Sequence, residues 1–140
     1  MQVSGSFHAR TITKTVGSLI GYITEASSTN CSFGSATLNR ASLPWHLRYR
    51  SFSGTLPNIT GRSETVAGAE WTIREPTFGV TCTIRRETSS MTITYAVSGG
   101  TVTSAAVSGS SPCGSFTGAL SGTETNVTNG SGARISVTLI

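Results

Sequence analysis

The chain has 140 residues, a formal net charge of +4 and only 11% charged residues. One domain over residues 1–140 is expected at this length, and about two-thirds of the unfolded chain's surface can then be buried. No stretch approaches the ~20 apolar residues of a transmembrane helix. No apolar segment follows Met1 as a signal peptide requires. A composition rich in Ser, Thr and Gly, with one lysine, favours a mature secreted or cell-surface chain over a cytoplasmic protein.

The first clear alternation of apolar and polar residues is the stretch LPWHLRYR at positions 43–50. In a strand, alternate residues point to opposite faces. One face here is apolar: Leu43, Trp45, Leu47 and Tyr49. The other face is basic: His46, Arg48 and Arg50. We interpret Trp45 as a core anchor and the basic residues as a solvated face. The alternative is a basic binding stripe for an anionic polymer, which Arg85 would join if its strand were a neighbour.

The same period of two continues through the later segments 71–74, 80–85, 91–95 and 135–139. It makes Trp71 a second core anchor. Turn residues such as Gly68, Gly79 and Gly109 separate the segments at about the 8–12-residue spacing of all-β folds. We therefore predict an all-β protein, an antiparallel β-sandwich or flattened barrel of about nine to eleven short strands.

Three cysteines allow at most one internal disulfide. Cys82 lies within a predicted strand and Cys113 in a predicted turn. A bridge between these two would close a loop of about 30 residues and stabilise the fold by roughly 3–4 kcal/mol. The alternative is three buried thiols.

Residues 43–60, LPWHLRYRSFSGTLPNIT, the segment FTGALSGT at 116–123 and the ending ISVTLI at 135–140 together resemble a known group. It is a family of small secreted all-β proteins from high-GC Gram-positive (actinobacterial) soil bacteria, with no assigned activity. The resemblance covers about two-thirds of the chain, from Cys31 onward. It implies export and a Cys82–Cys113 disulfide. The chain departs from the pattern in Cys31, which is left without a partner.

Few residues suit catalysis or metal binding. His8 and His46 are the only histidines, and aspartate is absent. A Ser-His-acid triad would have to use a glutamate, and the Gly-x-Ser-x-Gly elbow is missing. Zinc needs three or four close ligands, and calcium loops depend on aspartate. We therefore expect a protein that is not an enzyme and has no catalytic site, metal or cofactor, with a small hydrolase as the least favoured reading.

The leading hypothesis is a structural or adhesive β protein that acts through its sheet faces or edges. Self-assembly into an oligomer or filament is one form of it, because the last predicted strand, Ala133 to Ile140, is apolar on one face and needs a partner. The alternative is a module that binds a cell-wall glycan or an anionic polymer, using Trp45 or Trp71 with arginines. No specific nucleic acid is expected as a partner. Exposure of the tryptophans separates the two hypotheses, because buried rings favour structure and a ring in a groove favours sugar binding.

Overall fold

The computed structural model describes residues 2–28, 34–85, 90–99, 101–111, 114–120, 131, 133 and 138–139. The elements in these ranges are twelve strands and one short 3-10 turn, Arg40–Ser42. The strands are β1 (Gln2–Phe7), β2 (Thr11–Ile12), β3 (Leu19–Ser27), β4 (Ser35–Leu38), β5 (Trp45–Thr55), β6 (Asn58–Ala67), β7 (Trp71–Glu75), β8 (Val80–Ile84), β9 (Ser90–Ser98), β10 (Thr101–Ser111), β11 (Gly114–Leu120) and β12 (Thr138–Leu139). The all-β prediction is confirmed. The two-residue strands β2 and β12 bring the number above the expected nine to eleven.

The strands form three sheets. Seven antiparallel strands follow the order β1-β3-β5-β6-β9-β10-β11, and three more follow the order β4-β7-β8. The third sheet is the short parallel pair of β12 with β2, in which Thr138 pairs with Thr11 and Leu139 with Ile12. These two residues of the last predicted strand therefore pair within the same chain, while 134–137 and 140 lie outside the described residues. In the described part of the chain, no helix is long and apolar enough to cross a membrane.

The core lies between the seven-stranded and the three-stranded sheet. Trp45 of β5 is 0% exposed and Trp71 of β7 is 7% exposed. Their rings meet edge to face with centroids 5.9 Å apart, and the indole Nε1 of Trp45 donates a hydrogen bond to Ser42 Oγ at 2.9 Å. The two tryptophans belong to one core cluster, whose other buried members are Ile12, Ile20, Ile23, Ala26, Leu47, Tyr49, Val66, Ala69, Ile84, Met91, Ile93 and Val107.

The seven-stranded sheet is strongly curled. The guanidinium carbon of Arg62, on β6, lies 5.2 Å from the ring centroid of Phe7, on the edge strand β1, although β3 and β5 separate the two strands. The backbones of β1 and β3 also approach closely, since a Cβ at Gly5 would overlap the carbonyl oxygen of Tyr22. Glycine is the residue that permits such an approach. The curl brings the ends of distant strands together inside the molecule.

We predict that Trp45→Ala lowers the free energy of unfolding by about 3–5 kcal/mol, the usual cost of removing a large aromatic side chain from a core. The substitution removes both the contact with Trp71 and the hydrogen bond to Ser42. Urea unfolding followed by circular dichroism measures the change. Arg74→Ala, at an exposed position of β7, serves as the control and should change it by less than about 0.5 kcal/mol. A loss for Trp45→Ala as small as that of the control would contradict the assignment of Trp45 to the core.

Candidate functional site

Strand β5 separates an apolar inner face from a basic outer face. Trp45, Leu47 and Tyr49 are buried, whereas Arg48 and Arg50 are exposed and His46 is half-buried. Because alternate residues of a strand point in opposite directions, the burial of Trp45 fixes the arginines on the outer surface. This is the face assignment that the sequence predicts.

Both arginines are held in place by hydrogen bonds. Arg48 Nη1 donates to the carbonyl oxygen of Gly17 at 2.9 Å. Arg50 Nη1 donates to Thr92 Oγ1 at 3.0 Å, so its guanidinium reaches across β6 to β9. A guanidinium has five N–H donors, and each of these hydrogen bonds uses one. The two cations are thus positioned on the sheet with donors left for a ligand.

Their neighbours across the sheet carry no negative charge. Arg48 lies opposite Leu19 on β3 and Thr65 on β6. His46 lies opposite Tyr22 and Ala67 on the same two strands. The ion pair between two described residues is the internal one of Arg62 with Glu64, and neither Arg48 nor Arg50 takes part in it. Among the described residues, the outer face of β5 at His46 and Arg48 therefore has no acidic residue opposite it, and its positive charge attracts anions.

Hydroxyl groups surround the arginines on the outer face. Pairs face each other between β6 and β9, and Ser63 Oγ and Thr94 Oγ1 share a hydrogen bond at 3.3 Å. Hydroxyls both donate and accept hydrogen bonds. On this face they come from three adjacent strands: Ser51, Ser63, Thr65, Thr92 and Thr94.

An aromatic group extends the basic face toward β1. The ring of Tyr22 lies between His8 and His46, with ring centroids 4.7 Å and 5.1 Å away. From the sequence, His8 is considered as one of the two histidines available for catalysis, and Tyr22 is not selected at all. No sequence signal joins the three rings, because their contact depends on the pairing of β3 with β5. We call the surface formed by His8, Tyr22, His46, Arg48 and Arg50 the basic face.

Arg85, the fourth residue of the predicted binding stripe, lies elsewhere. It follows the end of β8, which belongs to the three-stranded sheet and pairs with β7. Strand pairing therefore does not place it beside Arg48 or Arg50, and Arg86 lies outside the described residues. Arg85 has other contacts and is not part of the basic face.

A second group of charges lies inside the curled sheet. Glu64 is 0% exposed, and its Oε1 lies 2.9 Å from Arg62 Nε. The guanidinium of Arg62 sits between the rings of Phe7 and Tyr95, with its carbon 5.2 Å and 4.8 Å from their centroids. This group is not among the residues predicted from the sequence, although Arg62 and Glu64 lie at alternate positions of β6 with the buried Val66.

Burial determines the titration of this internal group. Loss of hydration raises the pKa of Glu64 above its ordinary value of 4.5, and the neighbouring Arg62 opposes that rise. Burial and the charge of Glu64 likewise raise the pKa of Tyr95. Both effects follow from the cost of placing a negative charge where water is excluded.

A cleft of about 420 Å³ lies at the far end of β3. It is lined by Ser4, Thr24, Glu25, Ala26, Ser27, Arg40 and Leu43. His46 does not line it, so the cleft lacks the histidine–glutamate pair that would favour a hydrolase. In the described ranges no cluster of three or more His, Cys or Glu side chains could hold a metal ion.

Cys82 is buried on β8, and Cys31 and Cys113 lie outside the described residues. The Cys82–Cys113 pairing therefore stays a prediction.

No protein-family model matches the chain, and no curated protein or solved structure matches it either. Function has to be inferred from the surface and its chemistry.

We predict that Glu64→Gln flattens the pH dependence of stability. A raised pKa means that the folded protein binds this proton more tightly than the unfolded chain does. The contribution of Glu64 is therefore fully present below its ordinary pKa of 4.5 and is lost as pH rises through the folded-state pKa. Urea unfolding from pH 4 to pH 8 measures the free energy of unfolding of both proteins. As pH rises, the wild type should lose stability relative to Glu64→Gln.

Glu75→Gln provides a control of opposite sign. Hydrogen bonds from the backbone N–H groups of Phe78 and Thr77 lower the pKa of Glu75. Its contribution is present above its ordinary pKa of 4.5 and is lost as pH falls through the lowered value, so this control is followed by urea unfolding on the acidic side of 4.5. Wild-type and Glu64→Gln stabilities that run parallel over the whole pH range would rule out the burial effect at Glu64.

Proposed function

We propose that this protein is a non-catalytic, exported β protein with an adhesive role, and that it binds an anionic cell-wall polymer through the basic face. One observation carries the proposal: Arg48 and Arg50 are exposed and held by hydrogen bonds, and the residues opposite Arg48 on the two neighbouring strands are not acidic. An uncompensated positive surface raises the local concentration of anions and speeds their association.

Pre-organisation supports the same function. Each arginine is tied to the sheet through a single N–H group, so binding costs less side-chain freedom than it would for a mobile arginine. The remaining donors of each fork match the oxygen atoms of carboxylate, phosphate or sulfate groups. The hydroxyls of β6 and β9 add neutral hydrogen bonds along the same surface.

Burial of the tryptophans supports contact through the sheet face instead of a tryptophan-lined groove. Trp45 and Trp71 both pack inside the protein. Neither ring can stack on a sugar, as the glycan-binding hypothesis in its tryptophan form requires. Adhesion then depends on charge and hydroxyl groups.

Self-assembly has less support. The sequence argument for it depends on the last strand, and its described residues, Thr138 and Leu139, pair with β2 of the same chain. Pairing with β2 gives this strand one partner within its own chain, which weakens the reason for expecting a partner in a neighbouring subunit.

We predict that dextran sulfate binds the wild-type protein and that uncharged dextran does not. Arg48→Ala combined with Arg50→Ala should weaken binding about tenfold, because each exposed charge pair contributes up to about 1 kcal/mol. Isothermal titration calorimetry measures the affinity, and added salt should lower it. Polyphosphate and polyglutamate, tested in the same way, show which anionic group is preferred.

The matched control removes two positive charges elsewhere. Arg10 and Arg74 are exposed and do not belong to the basic face. The double variant Arg10→Ala with Arg74→Ala has the same net charge as the Arg48, Arg50 variant. Equal losses in the two double variants would show that net charge alone attracts the polymer, and the proposed surface would then be wrong.

We also propose that the protein is exported with a disulfide between Cys82 and Cys113. Support comes from the burial of Cys82 on β8 and from the resemblance to secreted proteins, which implies such a disulfide. Such bonds persist in oxidising compartments outside the cytoplasm. Either Cys31 or Cys113 can supply the second sulfur, and the resemblance to secreted proteins favours Cys113.

Peptide mapping without reductant tests the pairing. We expect protein produced in an oxidising compartment to yield one linked peptide that contains Cys82 and Cys113. Cys113→Ser should then lower the free energy of unfolding by roughly 3–4 kcal/mol, the loop-closure contribution, whereas Cys31→Ser should not. A peptide that links Cys82 to Cys31 would overturn the pairing.

A further inference from the structure

The cleft at the end of β3 carries two opposite charges that do not neutralise each other. Glu25 and Arg40 both line it and both are exposed. No ion pair joins these two described residues. One wall of the cleft therefore offers a carboxylate acceptor, and another offers guanidinium donors.

Hydroxyl groups complete the lining. Ser4 Oγ donates a hydrogen bond to Glu25 Oε2 at 3.2 Å, and Thr24 Oγ1 donates to the carbonyl oxygen of Ser4 at 3.5 Å. Ser27 adds a third hydroxyl. The first of these contacts restrains the carboxylate, which retains capacity to accept further hydrogen bonds.

A β-bulge shapes the cleft. Ser4 pairs with Glu25 and Gly5 pairs with Ile23, so Thr24 is the extra residue on β3. A bulge of this kind bends the strand and changes the direction of its side chains, and bulges are common beside binding sites. Here it places Thr24 and Glu25 next to one another on the exposed side of the strand, in the lining of the cleft.

From these features we propose that the cleft binds a single saccharide unit. Neighbouring sugar hydroxyls donate to a carboxylate and accept from a guanidinium, and serine and threonine hydroxyls can do both. Leu43 and Ala26 supply apolar surface for the C–H groups of a sugar ring. The volume of about 420 Å³ lies in the lower part of the range of small-molecule sites.

The polar lining favours a sugar over an amino-acid zwitterion, because three neutral hydroxyls accompany the two charges. The site also lies close to the basic face. Thr24 is two residues beyond Tyr22 on β3, roughly 7 Å along the strand. The cleft can nevertheless bind a neutral sugar whether or not Arg48 and Arg50 bind a polyanion.

NMR titration of the full chain, labelled with nitrogen-15, tests the cleft. The probes are cellotriose and the trimer of N-acetylglucosamine, with the dipeptide Ala-Ala as the zwitterionic comparison. The buffer contains about 0.5 M salt, which reduces the Debye length to ~4 Å and weakens binding at the basic face. We expect at least one trisaccharide to give saturable shifts at the amides of the lining residues: Ser4, Thr24, Glu25, Ser27 and Arg40.

Variants show whether the charged pair makes the contact. Glu25→Ala and Arg40→Ala should each weaken binding about tenfold, the effect of losing a hydrogen bond to a charged group. Glu25→Gln keeps the shape of the side chain and serves if Glu25→Ala does not fold. Arg74→Ala should bind as the wild type does.

Three results would overturn the proposal. The first is that neither trisaccharide shifts the amide signals of the cleft residues. The second is that the Glu25 and Arg40 variants bind with unchanged affinity. The third is that Ala-Ala alone gives saturable shifts. None of them affects the polyanion experiment, which probes Arg48 and Arg50. Likewise, a failure of the wild-type protein to bind dextran sulfate would not change the result expected from the saccharide titration.

Discussion

The packing of Trp45 against Trp71 is the contact on which the other features depend. It joins the seven-stranded sheet to the three-stranded one, and the hydrogen bond to Ser42 satisfies the indole N–H inside the core. Because side chains alternate along a strand, an inward Trp45 places Arg48 and Arg50 outside. The same contact therefore builds the core and creates the basic face.

Charged side chains have different environments on the two faces of the seven-stranded sheet. Inside, Arg62 and Glu64 neutralise each other, since an isolated buried charge is costly. Aromatic rings of Phe7 and Tyr95 cover the guanidinium. Removing either partner would leave the other charge uncompensated. Outside, water solvates the arginines, so they can remain without an acidic partner and interact with a ligand.

The basic face and the cleft at Glu25 lie along the same strand, β3. Tyr22 belongs to the first and Thr24 to the second. Charged groups on the face suit an anionic polymer, and the mixed polar lining of the cleft suits one sugar ring. A charged glycan offers both kinds of group, so the two proposed sites are compatible with the proposed adhesive role. Neither site requires catalysis.

Sequence alone determined the all-β class, the positions of β7, β8 and β9, and the two faces of β5, because each follows from a period of two along a continuous segment. The tertiary structure decided which strands are neighbours. Pairing of β3 with β5 brings Tyr22 to His46, and placement of β8 in the smaller sheet separates Arg85 from Arg48. Local periodicity gives the direction of a side chain but carries no information about the strand beside it. Strand order depends on how distant segments bury their apolar faces together.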